Sequence, residues 1–362
     1  HFTPNTKKTK LGKAIRRLFI SREGYSFIIS DWSAQELGSV GYLTGDPEFI
    51  SSYNEQDLHL DTALSIFNNE PLILTGILDD IISFDLVSND IFESSEKIYI
   101  LITYIETSEN GEAGEKIHSL SKNTLNESGN DTINFKMSES LKNQVPYMNK
   151  PNYKIRYIKE QQRTIAKYFN FGAMYGKSLE SYSEDLQIPV SEVSSYLEKW
   201  ETKWSTIVDF MNYCKKTTLD TGMAYTLKNN TGRRIFYPET LSSNKFIRNK
   251  ALNNSINYIN SGTCADLLKS VLIEIDDIIQ NEYGYNNNIV NIVHTMHDEV
   301  IVEVKDEYID RVKVQIKKIM EHPNLFEYDK PQDFSFKIDM DICKWWDSCN
   351  GLDDNTWEYN ED

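Results

Sequence analysis

A chain of 362 residues, 40% hydrophobic and 26% charged, has enough apolar side chain for a sizeable core and two or three substructures. Its longest apolar runs, "SFIIS" and "YILITYI", fall far short of the roughly eighteen residues a membrane-crossing helix needs, and no basic-then-apolar leader follows His1. A cytoplasmic setting without a membrane is therefore expected. The net charge of −17 argues against a phosphate-binding protein, since lysine and arginine supply that affinity. The acidity is segregated, however. Residues 69–150 hold 14 acidic and 6 basic side chains and residues 339–362 hold 8 and 1, whereas residues 1–22 carry seven cations and no carboxylate. The four cysteines lack CxxC or Cys/His spacing, which predicts reduced structural thiols.

In chain order, "YSFIISD" at 25–31 predicts a buried strand that delivers Asp31 at its tip. A helical pattern runs through about 33–67, broken near "TGDP". From 69 to 153 β-like runs ("IISFDLV", "EKIYILITYIE") alternate with Gly/Ser/Asn/Glu-rich stretches, the texture of an inserted β-rich or partly disordered module. Charge dominates 154–162. Helical periodicity then carries "RTIAKYFNFGAMYG" and "VSEVSSYLEKWETKWSTIVDFMNYCKK". "MAYTLKNNTGRRIFYP" predicts a hairpin, and 243–281 predicts helix, with Thr263 and Asp266 as a capping box opening a second helix after Gly262. "NIVNIVHTMHDEVIVEV" reads as two strands around the polar tip His297-Asp298-Glu299, and "FSFKIDMDI" as a last strand before an acidic tail.

Residues four apart on an α-helix drift only about 40° per step, so Arg163, Lys167, Phe171 and Tyr175 define one slowly winding stripe. Two cations a turn apart can grip a polyphosphate, and the aromatics beyond them can pack on a sugar and a base. An ordinary amphipathic helix, with its aromatics in the core and its cations in solvent, fits the same spacing. Asp31 alone is an unremarked strand end, and His297-Asp298-Glu299 alone is a turn. Two aspartates at the tips of separate apolar strands are nevertheless what a two-metal phosphoryl-transfer site needs, because hard Mg²⁺ prefers oxygen ligands.

The stretches "SDWSAQEL", "RTIAKYFNFGAMYG" and "HTMHDEVIVEV" resemble, in order and spacing, the three signature motifs of A-family DNA polymerases of the bacterial polymerase I type. Further similarity lies in "GDPEFISSYNEQDLHLDTA", "YTLKNNTGRRIFYP" and "INYINSGTCADLLK", so that most of 11–68 and 156–347 is covered. The resemblance implies an α+β fold, a right-hand polymerase palm built on an antiparallel sheet with helical fingers, interrupted by the inserted module. Residues 1–68 would be the first part of the palm leading into the fingers, 69–153 an acidic insertion of unknown role, 154–245 the fingers, and 246–362 the second part of the palm with its acidic tail. The implied activity is template-directed addition of dNTPs to a primer 3′-hydroxyl with pyrophosphate release.

By the same resemblance Asp31 and Asp298 are the metal ligands for two Mg²⁺ ions, with Mn²⁺ as an alternative, and Glu299 is a nearby helper. Arg163, Lys167 and His59 hold the triphosphate, Lys167 also protonating pyrophosphate. Phe171 packs on the incoming sugar, Tyr175 guards the templating pair, and Glu36 excludes a ribose 2′-hydroxyl. Asn257, Ser261, His297, Arg233 and Arg234 face primer–template DNA. Departures from the family pattern are Gly38 and Asn253, where arginines are usual, and Ser261 in place of glutamine. They predict weakened minor-groove sensing and lower fidelity. Upstream thumb and 3′–5′ exonuclease domains, or a partner chain, are expected to complete the enzyme. The Asn/Ile/Lys/Tyr-rich composition points to an AT-rich genome, of a phage acting in its host's cytoplasm or of an organelle. Two alternatives stay open: a single-subunit RNA polymerase, against which Glu36 and the glutamate after Asp298 both speak, and a catalytically inactive nucleic-acid-binding or replisome assembly protein.

Overall fold

The computed structural model describes residues 14–55, 57–67, 72–78, 81–86, 97–107, 113–128, 132–136, 153–226, 232–325 and 334–346. Most of the basic arm, the Asn/Gly turn at 227–231 and the acidic tail from 347 lie outside them. In chain order the chain forms strand β1 (Tyr25–Trp32) and helices α1 (Gln35–Thr44), α2 (Pro47–Glu55) and α3 (Leu58–Phe67). Strands β2 (Leu72–Leu78), β3 (Ile81–Leu86), β4 (Lys97–Thr107), β5 (Ala113–Ser128), β6 (Thr132–Lys136) and β7 (Tyr153–Lys159) follow. Next come α4 (Glu160–Gly172), α5 (Leu179–Leu186), α6 (Val190–Lys203), α7 (Ser205–Thr221), the pair β8 (Met223–Tyr225) and β9 (Arg234–Phe236), and the long α8 (Lys245–Ile278). The chain closes with β10 (Val290–Met296), β11 (Glu299–Lys305), α9 (Ile309–Glu321) and β12 (Ile338–Cys343). Among the described residues no helix is long and apolar enough to cross a membrane.

Two compact units emerge, residues 1–50 with 214–362, and residues 51–213. The first is built on an antiparallel sheet in the order β10-β11-β1-β12. One face gathers Phe27, Ile29, Ile301, Cys343 and Trp346. Successive side chains point to opposite faces, so Ile28 and Trp32 of β1 lie on the other, where the Trp32 indole N–H donates to the Met320 carbonyl of α9 at 2.9 Å. Each fully buried apolar side chain stabilises by about 1.5–3 kcal/mol, and a buried charge costs more than that unless paired. Glu303, 6% exposed, accordingly accepts from the backbone N–H of Arg22 at 2.8 Å and from its Nε at 2.9 Å.

The second unit contains a six-stranded antiparallel sheet, β2-β3-β6-β5-β4-β7, whose two edge strands approach one another. Strands β3 and β4 fall on the two apolar runs read from the sequence. Strand β7 was hidden in the charge-dominated stretch, because its cations separate Ile155 from the pair Tyr157 and Ile158, all three buried. It passes directly into α4 at Lys159, where the backbone N–H donates to Gln162 Oε1 at 2.9 Å.

Two expectations are corrected. Helix α8 is continuous across Gly262, with no second start. The Thr263 hydroxyl lies 2.7 Å from its own helix's Ile259 carbonyl, and Asp266 accepts from Arg233 at 2.6 Å, so neither residue caps anything. Gly262 is needed for contact rather than for a turn: a Cβ there would meet the Thr226 methyl beside the hairpin at 2.7 Å. Second, Cys214 and Cys264 are buried thiols outside any disulfide, but Cys343 is disulfide-bonded, so thiols are not reduced throughout. The motif spacings that were lacking report on zinc and redox pairs, not on this kind of cross-link. The fourth cysteine, Cys349, lies outside the described residues.

Candidate active site

Strand register builds the candidate carboxylate site of the first unit. Asp31, near the end of β1, pairs with Glu299 on one side and with Asp339 on the other. Directly opposed residues of antiparallel strands share a face with Cβ atoms about 4.5–5.5 Å apart, so three carboxylates form a row across three strands. Asp339 was not singled out in the sequence; its only signal there is its place in the alternating run "KIDMDI". Asp298 occupies, with His297, the two-residue turn closed by the Met296–Glu299 pair, and His297 adopts a left-handed φ of 58°.

Glu299 is 3% exposed, and its Oε1 accepts from Arg16 Nη2 at 2.5 Å and from the Trp346 indole N–H at 2.7 Å. The Arg16 guanidinium lies 4.3 Å from the Trp346 ring centroid. This glutamate therefore anchors the base of the turn, while Asp298 stays half-buried at its tip. Cys264 on α8 lies within the fields of both Glu36 and Asp298. Burial first, and then these two carboxylates, push its thiol up to about 12, against an opposing hydrogen bond with Ser39. Glu36 and Asp298 thus both act on Cys264. Asn260 ties α8 to α1 by donating to the Glu36 carbonyl at 3.1 Å.

Among the described residues no three Asp, Glu, His or Cys side chains converge into a ready-made metal cage. The donor set still suits Mg²⁺, which keeps waters and is commonly held by one or two carboxylates together with substrate phosphates. Nearby, Asn257 is exposed and accepts from the Ser261 hydroxyl at 2.9 Å. Arg233 is tied to Asp266 and, through Nη2, to the Gly262 carbonyl at 3.2 Å, whereas Arg234 is exposed on β9.

The second unit carries a separate group of candidate residues. Ile165, Ala166, Phe169 and Asn170 bury one face of α4, leaving Arg163 and Phe171 half-buried and Lys167 exposed on another. The aromatic committed to the core is Phe169, stacked on Tyr182 at 4.6 Å, and not Phe171. The stripe does not stay helical to its end. The helix stops at Gly172, and Tyr175 sits in the 3₁₀ turn Ala173–Tyr175 that follows. Gly172 packs closely against a neighbouring helix, since a Cβ there would meet Tyr182 Cζ at 2.8 Å.

Asp57 organises this group, although nothing in the sequence reading marked it. Its Oδ1 accepts from the His59 backbone N–H at 3.0 Å, capping α3, and its Oδ2 accepts from Arg163 Nε at 3.0 Å and Nη2 at 2.7 Å. Asn170 Nδ2 donates to His59 Nδ1 at 2.9 Å, which assigns the ring proton to Nε2; Asn170 Oδ1 accepts from the Trp200 indole at 2.9 Å. Burial pushes the His59 pKa down to about 4; Asp57 opposes the shift, and Arg163 and Lys167 add to it. A neutral donor and two cations, Arg163 held by Asp57 and Lys167 exposed, therefore lie on neighbouring helices, a combination that suits a polyanion.

The profile of DNA polymerase family A matches residues 148–348, a stretch holding all the site residues above except Arg16, Asp31, Glu36, Ser39, Asp57 and His59. DNA polymerase I of Helicobacter pylori (strain ATCC 700392 / 26695) is 30% identical over 165 residues, 45% of this chain and 17% of that protein. The thermostable DNA polymerase I of Thermus filiformis is 20% identical over 335 residues, 92% of this chain and 29% of that protein. The chain thus spans under a third of the length of these relatives. Among solved structures, the POL domain of Pol1 from M. smegmatis, in complex with DNA primer-template and dNTP, aligns with a TM-score of 0.59 at 19% identity, covering 94% of this chain and 43% of that one. The fold is accordingly that of a polymerase domain, an α+β palm with helical fingers. With more than half of its length matched by the family profile, the chain belongs to DNA polymerase family A.

Proposed function

We propose that the chain carries out template-directed DNA synthesis, joining a dNTP to a primer 3′-hydroxyl with release of pyrophosphate. The observation that carries this reading is Asp31 paired in register with Glu299, beside the two-residue turn that holds Asp298. Asp31 and Asp298 would hold two Mg²⁺ ions, or Mn²⁺, which when bound supply charge neutralisation at the attacking and leaving oxygens. The remaining work falls to the chain's own residues. Arg163, Lys167 and the His59 Nε2–H bind the triphosphate, and Lys167 gives a proton to the departing pyrophosphate. Phe171 orients the sugar, Glu36 blocks a 2′-hydroxyl, and Tyr175 sits at the templating pair. Glu299 acts indirectly, fixing the turn through Arg16 and Trp346. Asn257, Ser261, His297 and Arg234 face the primer–template. In this reading residues 1–68 and 246–362 form the palm, 154–245 the fingers and 69–153 an insertion, with upstream segments or a partner chain gripping the duplex.

Primer extension by the parent and by Asp298→Ala tests the reading. Loss of a metal-binding carboxylate removes several kcal/mol of transition-state stabilisation, so the variant is expected to fall by about 100-fold or more. Its thermal unfolding should be unchanged, because Asp298 is a half-buried turn residue. Equal rates in parent and variant would overturn the proposal in favour of a non-catalytic nucleic-acid-binding role, and preference for rNTPs would redirect it to RNA synthesis.

A further inference from the structure

The inserted sheet touches the helix that carries the stripe. Strand β4 pairs with β7 so that Tyr99 lies opposite Ile158 and Ile98 opposite Lys159, the residue at which β7 becomes α4. One turn further along α4 stands Arg163. The end of the sheet is fixed in place, with Ile98 and Ile158 fully buried and Tyr99 only 7% exposed. From there the Tyr99 ring reaches the Arg163 guanidinium, whose carbon lies 5.6 Å from the ring centroid.

A guanidinium can be held in two independent ways. Its flat face attracts an aromatic ring, and its N–H edge donates to carboxylates or phosphates. In this chain Tyr99 takes the first and Asp57 the second, through Nε and Nη2. An arriving phosphate competes with Asp57 for the edge but leaves the face to Tyr99. The ring therefore keeps the side chain aimed while its anionic partner changes, and less rotamer freedom is lost on binding.

We propose that Tyr99 of the insertion is a positioning residue for triphosphate binding, so that residues 69–153 serve the nucleotide site by holding Arg163 in its binding rotamer. This rests on the reading of α4 as the triphosphate-binding helix. The carbon-to-centroid distance is near the outer limit of such contacts, which points to an effect of about two- to five-fold.

The test is a double-mutant cycle read by isothermal titration of the whole chain with dTTP and Mg²⁺. Tyr99→Leu is expected to raise Kd about two- to five-fold, Tyr99→Phe to leave it at the parent value, and Arg163→Ala to raise it about ten-fold or more. In the Arg163→Ala background Tyr99→Leu should have no further effect, which general damage to the fold would not reproduce. Circular dichroism checks folding; if the leucine variant unfolds, Tyr99→Met, closer in volume, takes its place. An unchanged Kd for Tyr99→Leu beside a weakened Arg163→Ala overturns the positioning role alone, as does equal weakening in both backgrounds. An unchanged Kd for Arg163→Ala overturns the triphosphate reading and this proposal with it.

Discussion

His59 is the residue whose environment gives the sharpest physical expectation. Burial keeps its ring neutral, with the folded pKa pushed down to about 4, whereas an unfolded chain titrates it near 6.5. Between those values the unfolded state binds more protons, so this residue's contribution to stability rises with pH, complete above about 6.5 and lost as pH falls toward 4. Urea unfolding from pH 7 to pH 4.5 should show the midpoint falling more steeply in the parent than in His59→Gln. Parallel profiles would contradict the assigned cause. The histidine itself was legible from the resemblance of "QDLHLDTA" to a family motif, but its neutrality was not. That depends on Asn170, 111 positions away, which donates to Nδ1 and is itself held by Trp200. Asp57 was missed for a related reason: in the sequence it is one more acid before a helix, and only the fold shows a single carboxylate both capping α3 and engaging Arg163.

Among the elements, β1 and the β10–β11 hairpin could be read directly, because short apolar runs bounded by polar residues have few other ways to bury themselves. Helix α8 could not, since Gly, Thr and Asp in succession mimic a helix start, and the reason for the glycine lies in the neighbouring hairpin. Gly262→Ala sets two effects against each other. Alanine improves the helix by about 0.5–1 kcal/mol, while forcing a methyl against Thr226 Cγ2 at 2.7 Å is an overpacking that costs about 1–3 kcal/mol. The clash should win by about 1 kcal/mol and lower the urea midpoint. Thr226→Ser, which removes the opposing methyl, should restore most of the loss when combined with it. If the double variant is no more stable than Gly262→Ala alone, the contact is not the reason for the glycine.

At the scale of the whole molecule, total charge and its distribution give opposite expectations for the proposed DNA partner. A chain at −17 should be repelled by a polyanion, yet 14 acidic side chains lie in residues 69–150 and 8 in residues 339–362, whereas residues 151–338, which hold Arg163, Lys167 and the candidate DNA residues, carry 25 acidic and 24 basic side chains. At physiological salt, exposed charges act over about 8 Å, so a binding surface responds to its own residues and not to the total. Primer–template affinity should therefore fall as salt rises, with a log–log slope of about −0.9 for each phosphate neutralised. Net repulsion would give the opposite sign, because added salt would then relieve it. Fluorescence anisotropy with a labelled primer–template between 20 and 300 mM salt, roughly the range over which such slopes are resolved, distinguishes the two. Arg234→Ala should make the slope shallower by about one phosphate's worth. Arg233→Ala should change it less, because that side chain is already paired with Asp266. A flat or rising dependence would mean that the acidic segments govern the encounter, and that a partner chain must supply the grip on the duplex.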